Sequence, residues 1–359
     1  MMNFMKATKT CYKLLTRLLA LVLCAAALLS LSACGSAASN MEQKQIFAMD
    51  TIMTLTAYGK NAQDGLNAAS SVINSMEALL DPELPTSTTY AINHAEGKNV
   101  VVNAQVAKML STAKTVYDQS DGALDLSLYP VIKLWGFVDG RYYVPLYEEI
   151  QTQLKRKAFD QMILTSYPAT GSYSVSFPSG TEISFGSIGK GCAAENAISA
   201  MRQAGVKSGI ISLGGNVQTL GLKPDDSKWT VAIQDPNNTA GWVGTVQVGE
   251  TAVVTSGSYQ RFFEFDGTTY HHIINPLSGS PVTNNLLSAT IICEDGTMAD
   301  ALSTSLFVMG AEKAVEFWKN SGLDFDFILL TDEDTLLVSE GISGDFSSGA
   351  YEIITIKKD

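Results

Sequence analysis

Between Ser208 and Asp295 the chain passes through seven short runs, "GIISLGG", "WTVAIQDP", "GTVQV", "AVVTSG", "RFFEFDG", "YHHIINP" and "LLSATIICEDG". Most are rich in β-branched or aromatic residues, and Gly, Pro or Asp closes nearly every one. Short strands broken by tight turns pair antiparallel, because a parallel neighbour needs a long crossover. Helical patterns flank this region. Apolar residues recur at helical spacing over 61–80 and 103–120, as in Val106, Leu110, Ala113 and Tyr117. Further helices are expected near 146–158, from Gly191 to Ala204 with Gly205 as its stop, and from 297 to about 320. Strands are expected over 46–59, around 160–187 and near 325–356. The implied fold class is α+β, with mixed, mostly antiparallel sheets and packed helices.

The chain has 359 residues, 46% of them hydrophobic and 17% charged, enough to bury a large core. Its net charge of −12 argues against nucleic acid as a partner, because phosphate binding needs clustered cations. The one short cationic run past the N-terminus, Lys155-Arg156-Lys157, suits a solvated helix face.

The first residues read as a targeting segment. Lys6, Lys9, Lys13 and Arg17 precede the apolar stretch "LLALVLCAAALLSLS", which is short for a membrane span. It ends in "LSAC", where Cys34 fits the position at which a bacterial lipobox is diacylated and cleaved; a plain signal peptide is the competing reading. Two acyl chains suffice for stable anchoring. The expected division is a lipoprotein signal peptide over 1–33, a flexible tether over 34–45 and one domain over 46–359. Loss of the leader's four cations takes the net charge from −12 to −16, so the lipid, not charge, would hold the protein at the extracytoplasmic face of a cell membrane. Cys192 and Cys293 remain in the domain, and their surroundings suggest two buried free thiols.

Three stretches carry candidate chemistry. "ISFGSIGKGCAAE" reads as a strand, a glycine turn and a helix start, which offers backbone N–H groups to an anion. It is not a P-loop: Ser184 stands where the first glycine belongs and Gly191 where Ser or Thr must follow the lysine. Gly189-x-Gly191-x-x-Ala194 fits a dinucleotide fingerprint in form, but the next strand ends without the ribose-binding acid. In "DGTMADALSTSLFVMG", Asp300 and Thr304 lie four apart on one helix face, with Ser303 beside them. Such hard oxygens suit Mg²⁺; alternatively, Thr297-x-x-Asp300 has the form of a capping box. Third, "TSGSYQRFFEFDGTTYHHIINP" predicts a hairpin at Asp266-Gly267 whose return strand ends at two of the chain's three histidines. Adjacent strand residues point to opposite faces, so His271 and His272 cannot share one task.

Taken in order, the leader, "FAMDT", "SDGALDLSLYPVIKLWGF", "GSIGKG", "ISLGGNVQTLG", the histidine hairpin and "ADALSTSLFVMG" resemble the ApbE family of FAD:protein FMN transferases. The resemblance implies a Mg²⁺-dependent enzyme that splits FAD and attaches FMN to a Thr or Ser hydroxyl of a membrane redox partner subunit, releasing AMP. It implies metal ligation by Asp300 and Thr304, with the Ser187 carbonyl and Ser303 beside them. Met49, Ala123, Leu124, Asp125, Lys190 and Ile274 match FAD-contacting positions, and His272 the base. Against the family pattern, Ser184 and Asn275 replace carboxylates, Gly189 replaces Ala, Asp50 replaces Gly, and Glu83 occupies the place of the ring-stacking residue. Two other functions fit the same residues: an FAD pyrophosphatase, and a lipid-anchored flavin-binding protein without turnover.

Overall fold

The computed structural model describes residues 40–358; the leader and Cys34 lie outside them. Strands β1 (Met41–Ala48) and β2 (Thr51–Tyr58) lead into helices α1 (Ala62–Leu80) and α2 (Thr88–Asn93). Next come β3 (Val100–Val102), α3 (Ala104–Gln119), α4 (Tyr129–Leu134) and α5 (Tyr147–Leu154). Strands β4 (Ile163–Tyr167) and β5 (Ser172–Ser176) precede α6 (Gly189–Gln203). The strand-rich region supplies β6 (Ser208–Leu213), β7 (Asn216–Leu220), β8 (Trp229–Gln234) and β9 (Trp242–Val248). It continues with β10 (Ala252–Gly257), β11 (Phe262–Phe265), β12 (Thr268–His271) and β13 (Leu286–Cys293). Helices α7 (Gly296–Met309) and α8 (Ala311–Asn320) follow, then β14 (Asp326–Thr331) and β15 (Thr335–Ser339). Helix α9 (Glu340–Ser343), β16 (Phe346–Ser347) and β17 (Glu352–Ile356) close the chain.

A nine-stranded sheet in the order β1-β2-β6-β7-β10-β13-β14-β15-β17 forms the frame. Every neighbouring pair in it is antiparallel except β15 with β17, as the expected α+β class requires. Strand alternation sends Met53, Leu55 and Ala57 of β2 to one face, where α1, α3, α6 and α7 build the main core. Helix α1 turns Leu66, Ala69, Ile73, Met76 and Leu80 to that core, a stripe at helical spacing. The opposite face carries Val253, Ile292 and Ile328 under a small sheet of order β16-β9-β8, which contributes Trp229, Val231 and Val246. A third cluster joins Trp135, Phe137 and Ile150 to Phe263 and Tyr270 of the β11–β12 hairpin.

Three expectations are corrected. The strand expected over 46–59 is a hairpin: β1 and β2 meet at Met49 and Asp50, both with positive φ (48° and 60°). A tight turn of this kind normally uses Asn or Gly, so Met-Asp carries no turn signal. The Met49 N–H donates to Glu77 Oε1 at 2.7 Å, which helps hold the strained backbone. Strand β1 also begins at Met41, inside the stretch expected to be a tether. Last, the helix expected from 297 to about 320 breaks at Gly310 (φ 80°), giving α7 and α8.

Candidate active site

A cavity of about 520 Å³ opens where α6 and α7 begin and where β7 and β10 have their near ends. Met49, Ala123, Leu124, Asp125, Ser187, Lys190, His272, Ile274, Asp300 and Thr304 all line it. Of the residues that the resemblance assigns to metal, FAD or base, Ser303 is the one that stands behind the wall. It is fully buried, donates to the Asp300 carbonyl at 2.9 Å and meets Ser256 Oγ at 2.8 Å. Ser256 in turn lies 3.4 Å from Thr304 Oγ1, so Ser303 supports the wall that holds Thr304.

Asp300 is not a helix cap. The cap of α7 is Asp295, whose carboxylate accepts from Met298 N at 2.9 Å. Asp300 sits more than a turn inside the helix, 3% exposed, and its Oδ2 accepts from Gly191 N at 2.8 Å across the gap to α6. The helix starts can approach this closely because Gly191 has no Cβ; one would fall 2.0 Å from the Gly296 carbonyl and 2.6 Å from Asp300 Cβ. Burial raises the Asp300 pKa, while Lys190 and the Gly191 N–H pull against that rise. A buried carboxylate held this way favours a cation beside it. Among the described residues no three His, Cys, Asp or Glu side chains cluster as a metal cage. The donor set that the lining would offer a cation is one carboxylate, the Thr304 hydroxyl and oxygens of the Ser187 turn. It fits Mg²⁺, which binds through one or two carboxylates and takes its remaining oxygens from phosphate and water.

The two histidines separate as strand alternation requires. His271 is buried, its Nε2 2.8 Å from the Val282 carbonyl and its ring edge-on to Phe307. His272 opens to the cavity, with Nδ1 3.1 Å from the Arg261 carbonyl. A carbonyl only accepts, so Nδ1 carries the proton and Nε2 keeps its lone pair. Although its ring meets the cavity, protein encloses the rest of it. That desolvation, with the charges of Lys190 and Arg261, pushes its pKa down to about 3. The imidazole is neutral at physiological pH, and an anion against Lys190 and Arg261 would strengthen it as a base.

Asp125 is committed within the protein. It accepts from Ser127 N (2.9 Å) and Ser127 Oγ (2.6 Å), and Lys157 Nζ lies 3.1 Å away. Lys157 also donates to the Pro276 carbonyl, tying the Ala123-Leu124-Asp125 wall to the turn after His272. Phe137 meets His272 edge-on, ring centroids 6.3 Å apart, and the rest of the apolar lining includes Leu128 and Ile132 beside Tyr129. There Glu83 accepts from Tyr129 OH (2.5 Å) and from Lys133 Nζ (2.7 Å). Lys133 first, then Tyr129, holds the Glu83 carboxyl below its usual range.

The family departures have local roles. Ser184 Oγ accepts from Gly186 N at 3.2 Å, so the hydroxyl braces the glycine turn. Asn275 Oδ1 accepts from Leu277 N at 2.8 Å and Ser278 N at 3.3 Å, a turn that needs no charge. Glu77, Tyr129, Ser256 and Arg261 also line or brace the site and were not identified from sequence. Ser256 and Arg261 fall inside a motif already singled out; Glu77 and Tyr129 sit within patterns that read only as helix or apolar loop.

The sequence model described as the ApbE family matches residues 49–328. The chain is 33% identical over 287 residues to a FAD:protein FMN transferase of Klebsiella pneumoniae (strain 342), covering 79% of this chain and 88% of that one. It is 31% identical over 319 residues to a FAD:protein FMN transferase of Treponema pallidum (strain Nichols), covering 84% and 88%. The crystal structure of the ApbE protein of Thermotoga maritima MSB8 superposes with a TM-score of 0.77 at 27% identity, covering 84% of this chain and 98% of that one. The apo flavinyl transferase ApbE of Pseudomonas stutzeri gives 0.70 at 26% identity, covering 81% and 92%.

Proposed function

The chain belongs to the ApbE family, and we propose that it transfers FMN from FAD to a Thr or Ser hydroxyl of a partner flavoprotein, releasing AMP. One observation carries this reading: a single cavity brings the hard oxygens of Asp300 and Thr304 together with an apolar wall at Leu128 and Ile132. FAD has the matching polarity, with an anionic pyrophosphate between ring systems. The relatives named above are FAD:protein FMN transferases.

Phosphoryl transfer depends mostly on positioning and charge. Asp300, Thr304 and the Ser187 turn would hold Mg²⁺, which would neutralise the pyrophosphate. Lys190 and Arg261 place two further cations at the same end. His272 Nε2 takes the proton of the acceptor hydroxyl as its oxygen bonds to the FMN phosphorus. The bond from that phosphorus to the AMP oxygen breaks, and AMP leaves. The Asp125–Lys157 pair and the Met49 turn shape the walls against which FAD is oriented.

The sequence before the described residues supports membrane tethering through diacylated Cys34, with the domain facing outward and a membrane redox subunit as acceptor. A Cys34→Ala variant should be left uncleaved or be released without acyl chains; unchanged acylation and membrane partitioning contradict the tether.

For the chemistry, the purified protein is incubated with FAD and Mg²⁺, with and without a Thr-containing peptide. The expected result is Mg²⁺-dependent AMP release with FMN mass added to the peptide. AMP and free FMN with an unmodified peptide would make it a pyrophosphatase, and no AMP at all a binding protein.

A further inference from the structure

A second cavity, about 420 Å³, shares Thr255 and Gln260 with the reaction cavity. The Gln260 side chain spans the boundary: its Nε2 donates to the Thr255 carbonyl at 3.1 Å, and a Cβ at Gly215 would lie 3.1 Å from the same nitrogen. The floor of this groove is the sheet face away from the helices, at Ser212, Val217 and Val253. Its flank is β8, where Val231 and Ile233 face the floor.

Strand β8 ends the three-stranded sheet, so among the described residues its outer edge has no strand partner. That edge overlies β2, because Trp229 packs on Tyr58 with ring centroids 6.0 Å apart. Ile52 lies six residues before Tyr58 and points to the same face. Ile52 pairs in register with Phe47, and the two are 66% and 71% exposed. An open strand edge, a groove joined to the reaction cavity and an exposed apolar pair therefore occur together. None of the residues lining the groove is charged. An open edge offers backbone hydrogen bonds to an extended segment, and alternate side chains fill the groove beside it.

Building on the transfer reading, we infer that an extended, uncharged segment of the acceptor protein adds to the outer edge of β8 and passes its hydroxyl over the Thr255–Gln260 wall to His272. FAD occupies the first cavity from its own side, so the two substrates need not compete for one entrance.

The test uses the domain with FAD, Mg²⁺ and a Thr-centred random decapeptide library. Ser212→Trp and Thr239→Trp fill the groove from its floor and rim, at positions that carry no catalytic group. Two quantities are read: flavin attached to peptide, and AMP released with peptide absent. Each variant should lose peptide labelling by about tenfold or more, equivalent to about 1.4 kcal/mol of acceptor binding, while AMP release to water stays within about twofold. The peptides that the wild type labels should also slow amide exchange across Trp229–Gln234. Labelling at the wild-type level in both variants, an equal fall in labelling and AMP release, or unchanged exchange at β8 would overturn the inference and leave transfer standing. AMP release by the wild type with no peptide ever labelled would instead contradict the transfer reading, and the inference would fall with it.

Discussion

The two ends of the reaction cavity are built differently. The oxygen end draws mainly on regular elements, Asp300 and Thr304 on one face of α7, Lys190 on α6 and Ser256 on β10, with Ser187, Arg261 and His272 on adjoining turns. The apolar end is made from loops and short helices that meet across long sequence separations. Glu83 and Tyr129, for example, are 46 residues apart. Rigid elements fix charge where bonds change; loops shape the wall against which a ring lies. Substitutions at the first end should therefore act on turnover, and those at the second on FAD affinity.

The largest effect is expected at Asp300. Asp300→Ala should lower Mg²⁺-dependent AMP release by at least about a hundredfold, in the range of lost charge stabilisation in a water-poor site. Far-UV circular dichroism should be unchanged, because Asp295 caps the helix. Near-normal AMP release would break the comparison at its strongest point.

His272 follows. His272→Ala should cost about 10²–10⁴-fold in transfer to a hydroxyl, the usual contribution of a positioned base, with FAD still bound. AMP release to water should survive better, since a metal-bound water ionises more readily. His271→Ala should instead lower the melting temperature, because it empties a buried, hydrogen-bonded position beside Phe307. Equal losses of transfer in the two variants would show that the base is assigned to the wrong residue.

Glu83→Gln should act in the weaker, opposite manner. The Glu83–Lys133 pair is roughly half exposed, and such pairs contribute little. KM for FAD should rise about three- to tenfold with kcat within about twofold, as expected for loss of uniform binding. A fall in kcat alone would place Glu83 with the chemistry and blur the division between the ends.

The smallest signal concerns pH. The folded-state pKa of His272 is depressed to about 3, so its ring should stay neutral and its imidazole resonances unshifted between about pH 5 and 8, where a free histidine near 6.5 would titrate. The unfolded chain gains that proton as pH falls below about 6.5, so this group weakens the folded state on acidification. A midpoint near 6.5 would mean that the ring is solvated and not enclosed.

The same division explains what could be read from sequence. Asp300 and Thr304 are legible because helical spacing is periodic, and adjacent histidines on a strand must separate. The antiparallel region was legible from its turn residues, and Asp266-Gly267 does turn the β11–β12 hairpin. The Met49-Asp50 turn was hidden because its positive φ angles are held by Glu77, 28 residues away, and not by a glycine. Tyr129 was obscure for a similar reason: its partnership with Glu83 is tertiary, and no local pattern encodes it. Gly310 lay in plain sight, but one glycine inside a helical pattern is not by itself a stop.

The proposed function places a divalent cation at the oxygen end, against the FAD pyrophosphate. Mn²⁺ can stand in for Mg²⁺ and report phosphorus nuclei at close range by electron–nuclear double resonance. The account predicts strong ³¹P coupling when FAD is added to the Mn²⁺-loaded wild type, and its loss in Asp300→Ala with FAD still bound by fluorescence. A Mn²⁺ spectrum indifferent to FAD, or one that Asp300→Ala leaves intact, would contradict it.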